Sequence, residues 1–80
     1  MKKFIIKTRR DGQQDWKELE NVPIYASSFN EAVQMFKDWF VSWLSEINND
    51  HAITQAEAIS NQPAADTYSY DSENFTIRRV

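Results

Sequence analysis

Hydrophobic positions along the chain follow two different periods. Between Ser28 and Asn48 the apolar residues Phe29, Ala32, Val33, Phe36, Phe40, Trp43, Leu44 and Ile47 recur at helical spacing. Advanced by about 100° per residue, they fall within an arc of roughly 120°, the width of a core-facing stripe. Asn30, Glu31, Gln34, Lys37, Asp38 and Ser45 cover the opposite side. Ser28-Phe29-Asn30-Glu31 reads as a capping box: the Ser28 hydroxyl accepts from the Glu31 N–H, and the Glu31 carboxylate reaches back to the Ser28 N–H. The flanking segments alternate instead. Lys2 to Arg10 reads as a strand, and Asp11-Gly12, which contains the only glycine, signals a two-residue type I′ hairpin. Gln13 to Leu19 would return as the second strand. Asn21-Val22-Pro23 interrupts it, because proline cannot donate to a ladder and so marks an edge, a bulge or a kink. Ile24-Tyr25-Ala26 resumes the strand and feeds the helix cap. At the far end, Phe75, Ile77 and Arg79 alternate with Thr76, Arg78 and Val80, so Glu73 to Val80 reads as a strand.

The segment between helix and last strand is less sharply patterned. The helix should end near Asn48-Asn49-Asp50, where asparagine tolerates the left-handed conformation of a C-cap. Residues 52–61 fit a strand with Ile53 and Ile59 on one face, or a short helix opened by Thr54-Gln55-Ala56-Glu57. The strand is favoured, since it would widen the sheet that the long helix covers. Gln62 to Ser72, with Pro63 and small polar residues, reads as a loop. The expected fold is α+β: a small antiparallel sheet, made of the N-terminal hairpin and the C-terminal strand or strands, packed against one long amphipathic helix. The order is ββαββ, or ββααβ if residues 52–61 are helical.

Eighty residues read as one domain, 1–80. A chain this short buries only about 60% of its unfolded surface, so its core must be dense. Five Phe, three Trp and three Tyr supply that density. With no cysteine, disulfides and thiolate metal sites are excluded, and a cytoplasmic location is the natural expectation. No apolar run approaches the roughly 20 residues of a membrane span. The apolar run Phe4-Ile5-Ile6 is too short for the core of a signal peptide.

Charge is unevenly distributed. Lys2, Lys3, Lys7, Arg9 and Arg10 open the chain, Arg78 and Arg79 close it, and all twelve acids lie between, against only Lys17 and Lys37. Lys3, Lys7 and Arg9 share one basic face together with Ile5; if the terminal strands pair, Arg78 or Arg79 joins them, Arg78 being the one assigned, and Trp16 or Tyr25 adds a stacking ring. Salt bridges to Glu18 and Glu20 across the hairpin are the competing use of those cations.

Chemistry is sparse. His51 is the only histidine, placed at a helix end where it would face terminal carbonyls, and no cysteine or hydroxyl stands beside it as a nucleophile. Asp50, His51 and Glu57 match no metal-ligand spacing. Asp66, Asp71 and Glu73 lack the alternating ligand run and glycine of a calcium loop. No catalytic, cofactor or metal residues are therefore assigned, and the chain is expected not to be an enzyme.

Three apolar residues fall outside the core stripe of the helix. Val41 lies on one flank. Trp39 and Met35, four apart and so in contact, lie on the other. Either the late loop with Tyr68 and Tyr70 folds over that flank, or Met35 and Trp39, with Asp38 and Glu46 nearby, form a contact surface for a protein partner or a second copy. In layout, though in no motif, such a chain resembles small accessory proteins of phages and mobile elements, anti-CRISPR inhibitors of host defence among them. That resemblance implies an acidic protein-interaction module. The alternative is a nucleic-acid binder using Lys3, Lys7, Arg9 and Arg78. No membrane partner is expected.

Overall fold

The computed structural model describes residues 1–80. The elements are β1 (Lys2–Arg10), β2 (Lys17–Ala26), α1 (Phe29–Ile47), α2 (Asp50–Ser60), β3 (Thr67–Tyr70) and β4 (Glu73–Arg79). The four strands form one antiparallel sheet in the order β2-β1-β4-β3. The α+β class, the N-terminal hairpin and the pairing of the terminal strands are as the pattern predicts. Both helices cover the same face of the sheet. Phe4 and Ile6 of β1, Ile24 of β2, and Phe75 and Ile77 of β4 share one buried cluster with Phe36, Phe40 and Leu44 of α1 and Ala52, Ala56 and Ile59 of α2. Neither helix is long and apolar enough to cross a membrane.

Local chemistry sets the ends of α1. The Ser28 hydroxyl accepts from the Glu31 N–H at 3.2 Å, satisfying one of the free donors of the first turn. The return half of the box closes one residue earlier than expected. The Glu31 carboxylate takes the Ser27 hydroxyl at 2.8 Å and the Ser27 N–H at 3.4 Å. At the other end Asn48 adopts φ 59°, the left-handed cap its side chain tolerates.

Residues 52–61 are not a strand. Asn49 caps a second helix, its side chain accepting from the Ala52 N–H at 2.8 Å, five residues before the expected Thr54 start. The buried positions Ala52, Ala56 and Ile59 follow helical spacing, while Ile53 stays 39% exposed. Two alanines carry too little hydrophobicity to declare a stripe in sequence, but their small size lets α2 lie close against α1. Lys37 of α1 then caps the C-terminus of α2, donating to the Ser60 and Gln62 carbonyls at 3.2 and 2.7 Å. The segment 62–72 is not all loop either, since it contains β3.

The type I′ turn expected at Asp11-Gly12 forms at a hairpin the pattern does not predict. At Asp11-Gly12 only Gly12 has positive φ, at +89°, and the Gln13 N–H donates to the Arg10 carbonyl at 3.1 Å. That is a type II geometry, after which the chain runs irregularly to β2 at Lys17. The type I′ turn lies instead between β3 and β4. Tyr70 stands opposite Glu73, and the two intervening residues Asp71 and Ser72 have φ 50° and 67°. Pro23 sits on the edge strand β2, opposite Ile5, directly beside a bulge in which Leu19–Val22 face the single residue Ile6.

A non-glycine residue held left-handed costs about 1–2 kcal/mol. Replacing Asp71-Ser72 with Asn-Gly is therefore expected to stabilise the fold by about 1 kcal/mol, or a few degrees in Tm. Thermal unfolding followed by circular dichroism checks this, and an unchanged or lower Tm contradicts the turn assignment.

Candidate functional site

Two surfaces carry the residues singled out by the sequence. The first is the α1 flank. On the helical projection Met35, Trp39, Ser42 and Glu46 line up along one side, with Asp38 beside them. Met35 is 39% exposed, and Asp38 and Glu46 face solvent. Trp39 is half-buried. Its ring stacks near Phe36 at 6.4 Å and Trp43 at 6.4 Å, and meets Phe75 edge-on at 5.6 Å. Most of that ring therefore belongs to the core and Met35 is the more exposed of the pair; Phe29 and Ile47, expected in the core stripe, are also exposed at the two ends of α1.

The tyrosines of the late segment close elsewhere. Tyr68 lies flat on Phe40 at 4.9 Å and tilted on Phe36 at 5.3 Å, and its hydroxyl accepts from the Ala65 N–H at 2.9 Å. Tyr70 stands edge-on to Trp43 at 6.0 Å, and its hydroxyl pairs with the Asn49 side chain at 3.2 Å. Neither ring pairs with Trp39. On the opposite flank, Val41 borders α2 across an open depression of about 370 Å³, also lined by Ile53 and Ala56.

The second surface is the outer face of the sheet, which no helix covers. Antiparallel register sets it in rows. Tyr25 of β2 stands opposite Lys3 of β1. Ile5 lies between Pro23 and Arg78, Lys7 between Glu18 and Thr76, and Arg9 stands opposite Asn74. Lys3, Lys7, Arg9 and Arg78 are thus brought to one face as the alternation predicts. Ile5 is only 7% exposed yet lies outside the main core cluster, so it is buried among the long side chains on this outer face. A shallow groove of about 290 Å³ runs along it, lined by Lys3, Ile5, Glu18, Glu20, Pro23 and Val80.

At the end of this face the Arg9 guanidinium carbon sits 4.8 Å from the centre of the Trp16 ring. Arg9 Nε is buried without a hydrogen-bond partner. Asn74 holds the adjoining loop in place, donating to the Arg9 carbonyl at 3.1 Å and to the Asp11 carboxylate at 2.8 Å. Nothing near Asn74 in sequence marks that role, because both partners lie more than sixty residues away.

The anticipated salt bridges from this face to Glu18 and Glu20 do not form. The single ion pair of the structure, Arg10 to Glu73 at 3.5 Å, lies on the helix side of the sheet. Lys3, Lys7, Arg9 and Arg78 therefore have no carboxylate within ion-pair distance.

His51 also differs from expectation. It stands in the first turn of α2, rather than at the C-terminal end of a helix, with its ring 5.4 Å from that of Tyr70. Its neighbours Asp50 and Glu57 do not converge with it, and no three metal-ligating side chains gather anywhere.

The chain matches no protein-family model, no curated protein and no solved structure.

The two flank residues should separate by stability. Trp39→Ala removes a ring from the core stack and is expected to cost about 3 kcal/mol, whereas Met35→Ala should cost under about 1 kcal/mol. Urea unfolding of both variants measures the difference. Equal losses would mean that Met35 is as structural as Trp39.

Proposed function

We propose that the chain is a non-enzymatic protein-interaction module that docks a basic protein surface through its helix layer. The observation that supports this reading best is the charge of that layer. Glu31, Asp38, Glu46, Asp50 and Glu57 lie on the helices against one lysine, Lys37, whose ammonium is already engaged at the end of α2. Within this field the exposed Met35 sits beside Asp38 and on the same flank as Glu46, with the rigid Trp39 ring beneath. An apolar spot ringed by carboxylates fits a partner surface rich in Lys and Arg around an apolar depression. A nucleic-acid groove of another protein has such a surface, in keeping with the layout of small inhibitors of host defence.

The test uses tagged wild type and two variants that spare the core, Met35→Ala and the double Asp38→Lys/Glu46→Lys. Affinity capture from cells of origin, read by mass spectrometry, should yield a basic protein that the charge-reversed form fails to retain. Met35→Ala should weaken its binding about tenfold, roughly 1.4 kcal/mol. Identical captures from all three chains would refute the reading. Light scattering of wild type against Met35→Glu tells a second copy from a different protein. Met35 is the residue to change, because Trp39→Glu would place a charge in the aromatic stack.

A further inference from the structure

The outer face of the sheet lies on the opposite side of the molecule and carries the opposite charge. We infer that it is a binding site for single-stranded nucleic acid, independent of the helix-layer reading. Three observations converge on a polyanion with unstacked bases. Lys3, Lys7, Arg9 and Arg78 lie on one face of the two central strands with no carboxylate partner, Arg9 packed on Trp16 and Arg78 donating to the Ile77 carbonyl, so their charge is not neutralised within the fold and can meet phosphates. From Lys3 to Arg9 they follow one strand for about 20 Å, at roughly 3.3 Å per residue. Aromatic rings mark both ends of this track: Tyr25, 50% exposed, opposite Lys3, and Trp16 against Arg9. Rings at the ends of a cationic track are stacking platforms for bases, which a duplex keeps stacked within itself. Tight strand packing rather than glycine makes the face, so it is preformed and loses little entropy on binding. Glu18 and Glu20 on β2 border the groove and oppose a polyanion, which holds its affinity down and makes them informative.

The probe is a fluorescein-labelled 20-nucleotide oligothymidylate, followed by anisotropy at 50 and 300 mM salt. Four phosphate contacts on a single strand give a slope of about −2.8 in log K against log salt, so that rise in salt should weaken binding about 150-fold. The double variant Lys7→Gln/Arg78→Gln, which removes two charges and keeps polar side chains, should halve the slope and lose only about 12-fold over the same range. Glu18→Gln/Glu20→Gln should tighten binding several-fold, a gain that damage to the fold would not produce. Circular dichroism confirms that each variant is folded. Absence of binding at 50 mM salt overturns the inference, as does a slope unchanged in the Lys7/Arg78 variant. Equal affinity for a duplex of the same length overturns the single-strand assignment. Displacement by poly-glutamate as effective as by unlabelled oligonucleotide would identify the face as a site for acidic protein instead.

Discussion

The structure depends on the pairing of its two terminal strands. β1 and β4 lie side by side at the centre of the sheet, with Phe4 opposite Arg79 and Ile6 opposite Ile77. Closing so long an intervening segment costs chain entropy, though that cost grows only slowly with length. The compensating gain is concentrated where the strands meet, since Phe4, Ile6, Phe75 and Ile77 are each at most 1% exposed. Every other element takes its place from this pair. Each terminal strand carries its own hairpin partner to an edge, and the two helices between the hairpins have one free face to cover.

That arrangement explains why α1 needs more aromatic surface than a helical wheel suggests. With α2 against its Val41 flank, α1 must cover the middle of the sheet with the rest of its circumference. Trp39 is long enough to reach Phe75 from beside the stripe, at 5.6 Å between ring centres, and Trp43 meets the same ring from within it at 4.9 Å. Angular position on a helix sets the direction of a side chain, but reach depends on its length, and a tryptophan about 80° off centre still arrives at the core. What remains exposed at the flank is Met35 and its neighbouring acids.

The same central pairing divides the charge. Alternation along β1 and β4 sends Phe4, Ile6, Phe75 and Ile77 inward and Lys3, Lys7, Arg9 and Arg78, with Ile5 among them, outward. The helices carry acids on their solvent side. An acidic chain thus presents a basic sheet face and an acidic helix face, and its net charge of −3 describes neither.

Sequence by itself determined what depends on near neighbours. The Ser28 cap, the α1 stripe, the left-handed Asn48 and the alternation of the terminal strands all rest on residues within a turn or two of one another, and all are legible. Lys3, Lys7 and Arg9 are legible as one face as well, because a strand's period of two assigns its sides before its partner is known, whereas the register of β4 decides that Arg78 rather than Arg79 joins them. Tertiary structure decided the rest. Ala52 and Ala56 make a buried helix face only because α1 lies against them, and two alanines have no hydrophobic signature of their own. Thr67–Tyr70 is a strand only because β4 offers its edge and Phe36 and Phe40 receive Tyr68. Asp71 and Ser72 accept the strain of a type I′ turn because that register holds them, whereas Asp11-Gly12, better suited to it, is drawn into a wider connection. The fates of Met35 and Trp39 were likewise settled in space, since burial depends on what stands opposite a side chain, and nothing near them in sequence records that.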